Sequence, residues 1–582
     1  MNNVEISKIL NAMAVFYEME GVSFKPRAYE KAAEAVAAHR ESAADIFKHG
    51  GEKALMDIPG VGPGIAAHIA ALLTKKTFPE YQRLKKKYPL NLDELGSIEG
   101  LGPKTILLLY KKLGVKDLKD LERAARAGKI RKIPHLGIKS EQNILRGIDF
   151  MRRSAGRIPL GYILPLAEEI EARLGQVPGV RRAVICGSIR RRKETAGDID
   201  ILVTTSKPKA AVDYFVSMPE VEAVYARGEG KASVRLKIGI DADLRVVPKE
   251  SLGAAVQYFT GDKQHNIHLR TIAIKKGYKL NEFGLFRDAK NVACETEEEI
   301  YGHLGMDCPS PEMRTDTGEI EAAIAHKLPK LISYDSVRGD LQTTTNWTDG
   351  AKSIREMAVY AKKLGLEYIA ITDHTKALAM TGGLDERGLA RQAKEIEKLN
   401  TEFNPPNRRT KFKILKSAEV NILKDGSLDI SDEALAKLEI VGAAVHTNFN
   451  MSESEMTERI IRAMQNPNVD IIFHPTGRLL NRREPYKVNM EKIVAAAKAT
   501  GTVLEIDAFP DRMDLCAEHV RLAIKAGVKL SIDTDAHAPE HLEYLNLGVA
   551  LARAGWAKKS DIVNTMPLKE FLEWLKKLKK KR

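Results

Sequence analysis

Residues 186–203 read CGSIRRRKETAGDIDILV, and this stretch decides how the middle of the chain is interpreted. Its end, 198–203, has the pattern of a strand, and Asp198 and Asp200 lie two apart on it. Both carboxylates therefore emerge on the same face. A third carboxylate, Asp243, stands in the next acidic strand pattern. Three such oxygen donors can bind two Mg²⁺ ions about 4 Å apart and hold a triphosphate.

The residues before these carboxylates favour nucleotidyl transfer. The Gly187–Ser188 turn and Arg191 are placed to receive a triphosphate, Ser188 through its hydroxyl and backbone and Arg191 through charge-assisted hydrogen bonds. A lone Asp-x-Asp pair is weak support, because acidic pairs are common on exposed strand faces. Gly-Ser, a basic run, Gly-Asp-x-Asp and then a third Asp form a specific combination.

The sequence around this motif predicts a mixed sheet flanked by helices. A helix pattern at 160–174 leads into alternating apolar runs at 181–186, 198–203, 232–240 and 242–247. After a polar, Pro-containing link at 308–319, short apolar strands alternate with amphipathic helices, which implies a barrel-like α/β domain.

The first 150 residues are predicted to be almost entirely helical, with Gly-rich interruptions. Three of these resemble each other, at 58–69, 98–109 and 133–144. Each places a tight turn before a helix, where free backbone N–H groups can hold a phosphate. A helix hairpin that needs Gly for its geometry is the alternative. Three copies on a basic protein favour helix-hairpin-helix DNA binding, insensitive to base sequence.

Composition places the chain among ordinary multidomain globular proteins. Its 582 residues are too many for one core, and 44% are hydrophobic and 29% charged. The formal charge of +14 makes a polyanionic partner an expectation. No apolar run is long enough to cross a bilayer, and the start of the chain lacks the layout of a signal peptide. We expect a cytoplasmic monomer, and four scattered cysteines fit a reducing compartment.

Residues 1 to about 320 resemble the family X DNA polymerases. The resemblance rests on RAYEKAA (27–33), the helix-hairpin-helix elements, the carboxylate motif, and YFTGDKQHNIHLRTIAIKKGYKLNEFGLF (258–286). It implies that Asp198, Asp200 and Asp243 bind two Mg²⁺ or Mn²⁺ ions, with Asp243 nearest the primer 3′-hydroxyl. The implied substrates are dNTPs and gapped or nicked DNA.

The resemblance also implies roles for further side chains. Arg157, Ser188 and Arg191 would contact the triphosphate, and Arg245 would pair with the carboxylates. Tyr258 and Phe259 would line the sugar pocket. The other implied substrate contacts are Gly187, Gly261, Asn266 at the base and Arg270 at the template. The implied DNA-binding residues are Lys25, Tyr29, Gly60, Gly62, Gly64, Gly100, Gly102, Lys104 and Lys231.

One activity of this family is not expected here. Members that remove a 5′-deoxyribose phosphate use a Schiff-base lysine after the first hairpin, but His68 stands at that position and Gly64 replaces another lysine. An imidazole cannot form the imine. Because only Lys25 and Tyr29 of the 5′-phosphate pocket remain, we expect weak or absent lyase activity.

The last 240 residues resemble the polymerase-and-histidinol-phosphatase (PHP) domain. Such domains carry nine ligands for three metals at strand ends. The matching positions hold Asp349, His374, Glu419, His446, His474, Asp535 and His537. The opening His-x-His is replaced by Gln342-Thr343-Thr344. The resemblance implies Zn²⁺ or Mn²⁺ in the remaining sites, Glu419/His446/His474 and Asp349/His374/His537.

The lost histidines argue against full activity of the PHP domain. Neutral Gln and Thr are poor ligands for Mn²⁺ or Zn²⁺, and the third site keeps only Glu419 and Asp535. We therefore predict an impaired 3′–5′ exonuclease or phosphoesterase. The alternatives are an active PHP exonuclease coupled to the polymerase, a non-catalytic scaffold that bridges DNA ends, and nucleotide transfer to another acceptor.

These observations predict a multidomain fold with an all-α helix-hairpin-helix region, an α/β nucleotidyltransferase palm with a small thumb, and a C-terminal α/β PHP barrel. The expected segments are a helical DNA-binding domain (1–85), fingers (86–153), palm (154–255), thumb (256–318), linker (319–336), PHP domain (337–575) and basic tail (576–582). The leading hypothesis is a DNA repair polymerase that fills short gaps.

Overall fold

The computed structural model describes residues 1, 3–39, 42–58, 60–96, 98, 101–154, 156–288, 290–378, 381–405 and 412–581. No helix in these residues is long and apolar enough to cross a membrane.

The N-terminal region is helical throughout. Its helices are α1 (Asn3–Met19), α2 (Lys25–Ala38), α3 (Ala43–Leu55), α4 (Pro63–Lys75), α5 (Pro79–Lys87), α6 (Leu92–Leu95), α7 (Pro103–Leu113), α8 (Leu118–Arg126) and α9 (Ile138–Ser154). They share one apolar core that includes Leu10, Leu55 and Leu109. Pro63 and Pro103 begin their helices directly after Gly62 and Gly102, because proline at the first helical position sacrifices no hydrogen bond.

The middle of the chain forms the palm and thumb. The palm elements are β1 (Ile158–Pro159), α10 (Leu160–Gly175), β2 (Val180–Ile185), α11 (Gly187–Arg190), β3 (Thr195–Ala196), β4 (Asp198–Thr205), α12 (Pro208–Val216), β5 (Val221–Arg227), β6 (Lys231–Leu236) and β7 (Asp241–Val246). The thumb elements are α13 (Leu252–Thr260), α14 (Lys263–Lys275), β8 (Lys279–Asn281), β9 (Gly284–Arg287), β10 (Lys290–Ala293) and α15 (Glu297–His303).

The palm is built on a five-stranded sheet of order β2-β4-β7-β6-β5. Only β4 and β7 run parallel, and the other neighbouring pairs are antiparallel. The predicted mixed sheet is confirmed. Ile199, Ile201 and Val203 of β4 are buried, so the apolar half of this strand anchors it in the core while its acidic residues face the site.

The expected linker contains a helix, α16 (Glu319–Ile324), packed against the thumb. Glu319 is buried and lies 2.7 Å from the Nδ1 atom of His265 on α14. A cluster of backbone N–H groups from Thr315, Asp316 and Thr317 also donates to the Glu319 carboxylate. These contacts hold the pKa of Glu319 well below its usual range, at about 2, against the opposing effect of burial.

The C-terminal region alternates parallel strands with helices. Its elements are β11 (Gly339–Thr343), α17 (Ile354–Lys363), β12 (Tyr368–Ile371), α18 (Glu386–Phe403), β13 (Lys413–Lys416), β14 (Glu419–Asn421), α19 (Asp432–Leu435), β15 (Gly442–Ala444), α20 (Glu453–Met464), β16 (Ile471–Ile472), α21 (Met490–Thr500), β17 (Val503–Asp507), α22 (Ala517–Ala526), β18 (Leu530–Asp533), α23 (Leu545–Ala554) and α24 (Leu568–Lys581).

These strands close into a barrel-like ring. The strand orders are β11-β12-β13 and β14-β15-β16-β17-β18, all parallel. Single parallel bridges, Thr343 to Ala536 and His374 to Glu419, join the two sheets. In such rings the carboxyl ends of the strands form one mouth, where sites are built. The expected basic tail continues α24, and its Lys579 lies 3.2 Å from the Asp470 carboxylate.

Candidate active site and metal centre

The three predicted palm carboxylates lie on two adjacent parallel strands. Asp200 on β4 is in register with Asp243 on β7. Burial, followed by the charges of Asp198 and Asp243, raises the pKa of Asp200 to about 6. The Ser233 hydroxyl on β6 donates to Asp243, a contact that the sequence motif did not reveal. A cluster of carboxylates in which the neighbours raise the pKa of Asp200 in this way fits a site for divalent cations.

The turn into α11 is shaped to approach these carboxylates closely. Gly187 has φ +62°, and a Cβ atom there would lie 2.3 Å from the Oδ2 atom of Asp200. Only glycine therefore permits this approach. The Ser188 hydroxyl is buried without a hydrogen-bond partner among the described residues. An unpartnered buried hydroxyl beside the carboxylates fits the predicted contact with a polar ligand.

Two of the predicted triphosphate arginines lie around the site. The Arg191 guanidinium donates to the Thr260 carbonyl and lies 3.7 Å from Asp262. Burial lowers the pKa of Arg191, whereas the charge of Asp262 and then that of Asp200 oppose this effect. The Nε atom of Arg157 donates to the Thr195 hydroxyl at 2.8 Å.

Arg245 lies between the carboxylates and the aromatic pair. Its guanidinium carbon is 5.0 Å from the centre of the Phe259 ring, and its charge lowers the pKa of Asp200. The Tyr258 and Phe259 rings meet edge to face, with centres 5.1 Å apart. Arg245 is therefore close enough to influence Asp200 and lies over the Phe259 ring, whereas its direct pairing with the carboxylates remains a prediction.

A buried amide network joins the end of α13 to α14. The Gln257 side chain donates to Asn266 Oδ1 at 2.7 Å, and Asn266 Nδ2 donates to the Tyr258 carbonyl at 2.8 Å. Arg270 Nε donates to the Asn266 carbonyl at 3.2 Å. Gly261, at φ +66°, would place a Cβ atom 3.0 Å from the Arg191 guanidinium. Sequence reasoning missed Gln257, whose only signal is its position beside the aromatic pair.

The predicted DNA-binding residues lie in the N-terminal helical region and on β6 of the palm. Gly60 has φ +76°, and Gly62 and Gly102 are the residues before α4 and α7. Gly64 lies in α4, Lys104 is exposed on α7, and Lys231 is exposed on β6. Gly100 lies outside the described residues.

The predicted 5′-phosphate pocket holds a neutral aromatic cluster. The Tyr29 hydroxyl lies 2.7 Å from His68 Nδ1, and His68 stacks on Phe78 with ring centres 3.9 Å apart. Lys25 lies 4.7 Å from the centre of the Tyr17 ring. Burial lowers the pKa of His68, which favours a neutral imidazole.

Most predicted ligands of the C-terminal domain converge at the barrel mouth. One group consists of Asp349, His374 and His537, and a second of His374, Glu419 and His446; within each group the ligand atoms lie within 4.8 Å of one another. The second group contains His374 where we expected His474. His474 Nε2 lies 2.9 Å from Glu419 Oε1, so it remains beside the group.

The donor set fits bound metal ions at these two groups. Asp349 Oδ1 and His374 Nδ1 are buried without a hydrogen-bond partner among the described residues. His446 Nε2 lies 3.0 Å from Glu419, and its Nδ1 atom lies 2.8 Å from Asn421 Oδ1. Asn421 thus orients the His446 imidazole through the ring nitrogen that does not face Glu419, as outer partners of metal ligands do.

At the position of the missing His-x-His, an amide and an arginine contact the neighbouring carboxylates. With its amide oriented to satisfy its neighbours, Gln342 donates to both carboxylate oxygens of Glu505, at 2.6 and 3.3 Å. Arg512 Nε lies 3.3 Å from the predicted ligand Asp535 and 3.4 Å from Asp507. The Arg512 guanidinium therefore offsets part of the negative charge here, although Asp535 Oδ1 and Asp507 Oδ2 are buried without a hydrogen-bond partner among the described residues. Glu505, Asp507 and Arg512 were not among the predicted site residues, because no motif near them in the sequence marks them.

Comparison with known proteins decides the family. Models of four domains match the chain: a helix-hairpin-helix domain at residues 1–78, a SAM-like helix-hairpin-helix tandem at 92–149, the DNA polymerase beta palm at 157–226 and the DNA polymerase beta thumb at 255–315. The DNA polymerase/3′-5′ exonuclease PolX of Bacillus subtilis is 36% identical over 582 residues, covering 99% of this chain and 100% of that protein. The chain belongs to the family X DNA polymerases.

Other relatives match parts of this family X polymerase. A probable phosphatase of a Thermoanaerobacter species is 29% identical over 239 residues, covering 39% of this chain and 90% of that protein. DNA polymerase lambda of Arabidopsis thaliana is 26% identical over 353 residues, covering 54% of this chain and 62% of that protein. The predicted family, the helix-hairpin-helix, palm and thumb parts of the fold and the nucleotidyltransferase activity are confirmed. The parallel C-terminal strands are consistent with the predicted PHP barrel, and the site residues and the activity of the PHP domain remain predictions.

Proposed function

We propose that this polymerase fills short gaps in damaged DNA, with Asp198, Asp200 and Asp243 as its catalytic carboxylates. The observation that carries this proposal is their convergence on β4 and β7 beside the Gly187 turn. Primer extension into a one-nucleotide gap, compared between the natural protein and an Asp200 variant, tests it.

The three carboxylates would hold Mg²⁺ or Mn²⁺, two ions in all. Bound ions would help to ionise the primer 3′-hydroxyl and neutralise the triphosphate. The Ser233 hydroxyl, which donates to Asp243, restricts that carboxylate to one orientation. The charge of Arg245 favours the ionised form of Asp200, which a cation site requires.

The side chains around the carboxylates would bind and select the nucleotide. Ser188, Arg191 and Arg157 supply hydroxyl and guanidinium donors for the triphosphate oxygens. Tyr258 and Phe259 would line the sugar pocket. The hydrogen bonds of Gln257 and Asn266 hold the end of α13, which carries both rings, against α14. This connection limits the freedom of the pocket and supports discrimination against a 2′-hydroxyl.

The helical modules would bind the DNA backbone. A basic cavity beside α9 would enlarge the surface available to DNA phosphates. A cavity of about 470 Å³ lies between α9 and the PHP domain. The cations that line it are Lys139, Arg146, Arg482, Arg483 and Lys487. Glu455 and Glu484 also line it, so positive charge is in excess. Such a surface favours phosphates regardless of base sequence.

Neutralising two cavity cations should weaken DNA binding and its salt dependence together. For Lys139→Ala with Arg146→Ala we expect the slope of log affinity against log salt to become shallower by about 1 to 2, because each lost phosphate contact removes about 0.9. Fluorescence anisotropy with gapped duplexes over a salt series measures this slope. The matched control is Arg391→Ala with Lys394→Ala, on the exposed side of α18. An unchanged slope in the Lys139 and Arg146 variant would show that the cavity does not contact the DNA.

We also propose that the PHP domain is an impaired 3′–5′ exonuclease or phosphoesterase that retains up to two Mn²⁺ or Zn²⁺ ions. Hydrolysis by closely spaced metals depends on ions that share the reacting oxygens. The two ligand groups share His374, and at the third position Gln342 and Thr344 replace the two imidazoles while Arg512 lies 3.3 Å from Asp535. Loss of a direct ligand should cost more than the roughly 10- to 100-fold seen for outer partners.

Removal of a 5′-deoxyribose phosphate should be weak or absent. His68 cannot form an imine, and its Nδ1 atom already contacts Tyr29. We expect borohydride to trap little protein–DNA adduct on an incised abasic substrate. His68→Lys, which restores the amine, should increase trapping, and His68→Gln is the control. Strong trapping by the natural protein would contradict this prediction.

A further inference from the structure

A loop of the PHP domain contacts the short two-stranded ribbon of β1 and β3, which begins directly after Arg157. Arg478 places both terminal nitrogens on the Glu194 carboxylate, at 2.8 and 3.2 Å. Three residues later, Asn481 Nδ2 donates to the carbonyl oxygen of Arg157 at 2.8 Å. These contacts join parts of the chain that are more than 280 residues apart.

The ribbon that receives these contacts is too small to be stable alone. β1 and β3 have two residues each, and they pair Ile158 with Ala196 and Pro159 with Thr195. An isolated two-stranded ribbon is marginal even when it is longer. Glu194 precedes this pairing and Arg157 precedes β1, so the PHP domain holds the ribbon at both of its entry points.

The loop itself is firmly anchored, so it can act as a support. Arg478 is mostly buried and also donates to the Met513 carbonyl within the PHP domain. Beneath the ribbon, a Cβ atom on Gly161 of α10 would lie 2.7 Å from Pro510 and 2.8 Å from Leu547. The palm and the PHP domain share one apolar core here. Because close packing of this kind leaves little free volume, the PHP domain can hold the ribbon in a fixed position.

We propose that Arg478 and Asn481 of the PHP domain are positioning residues for nucleotide binding, because they hold Arg157 where it can reach the triphosphate. This inference rests on the proposed role of Arg157. Pre-organised donors cost less on binding than donors that must first be ordered. The PHP domain would therefore support polymerisation through the loop that contains Arg478 and Asn481. This role would be independent of any hydrolysis at the metal-ligand groups of the barrel mouth.

Steady-state gap filling with the full-length protein tests this role. For Asn481→Ala we expect the KM for dNTP to rise about threefold to tenfold, as for the loss of one ordering hydrogen bond. The kcat and the affinity for DNA should stay within about twofold, and the melting temperature should not change. Asn466→Ala is the matched control, because its amide donates to Asp432 inside the PHP domain.

Charge reversal and a double variant make the test specific. Glu194→Arg should raise the KM for dNTP, because two cations would face each other. Arg478→Glu in the same chain should restore part of it, which a general loss of folding would not allow, but not all of it, because a glutamate cannot donate to the Met513 carbonyl. Asn481→Ala should add nothing in an Arg157→Ala background, because both act through Arg157. The inference is overturned if Arg157→Ala raises the KM while Asn481→Ala leaves it unchanged. An unchanged KM in Arg157→Ala itself would instead refute the proposed role of Arg157.

Discussion

Replacing Asp200 with alanine is expected to lower the kcat of gap filling by at least about 1,000-fold. Asp200 lies in register with Asp243, and its pKa is raised by burial and then by the negative charges of Asp198 and Asp243, which bound cations would neutralise. Bound metal ions supply several kcal/mol of transition-state stabilisation, and each tenfold in rate corresponds to about 1.4 kcal/mol. Single-turnover incorporation into a one-nucleotide gap, with Mg²⁺ or Mn²⁺, measures the loss.

The melting temperature of this variant should not fall, because removing one of several mutually repelling carboxylates relieves charge at the site. Asp213→Ala is the matched control: Asp213 is a palm carboxylate that pairs with Arg227 on the exposed side of the domain, at 2.6 Å. Its activity should match that of the natural protein. If the Asp200 variant incorporates nucleotides at a rate within tenfold of that of the natural protein, these carboxylates are not the catalytic ones.

The second large effect is expected when the His-x-His motif is restored. Gln342→His with Thr344→His should increase Mn²⁺-dependent shortening of a 3′ end by at least about tenfold, because two imidazoles would join Glu419 and Asp535 as ligands. The bound metal, measured by plasma mass spectrometry after desalting, should rise with it. The nearby Arg512 cation opposes this gain, so adding Arg512→Gln should increase both quantities further.

Gln342→Ala with Thr344→Ala is the control for this experiment, since it removes the same side chains without adding ligands. Its metal content should equal that of the natural protein. If the natural protein already shortens 3′ ends at a rate comparable to its polymerisation, the PHP domain is not impaired. If the variant with the restored motif binds more metal but hydrolyses DNA no faster, the defect lies in other residues of the barrel mouth.

The sequence predicted the parts of the fold whose signals are local. The spacing of Asp198 and Asp200 on β4 follows from strand geometry, so the sequence alone predicts that they share a face. The Gly-rich turns before α4, α7 and α9 likewise combine glycine and helix patterns in short windows. The missing His-x-His was visible because two residue types differ from an expected motif.

The contacts that modify these sites could not be predicted, because they join distant segments. Gln342 meets Glu505 across more than 160 residues, and Asn481 meets Arg157 across 324. Neither pair has a pattern in its own neighbourhood. The helix at Glu319–Ile324 has a related cause: a polar segment that resembles a linker is ordered by the buried pairing of Glu319 with His265.

The central claim is that this chain extends primers while its PHP domain contributes little hydrolysis. The most direct test follows a single 5′-labelled primer in a gapped duplex with Mn²⁺ and dNTPs, for the natural protein and the Asp200→Ala variant. We predict rapid extension by the natural protein, none by the variant, and primers that stay at full length in both. Shortening by both proteins at a rate comparable to natural extension would contradict the claim.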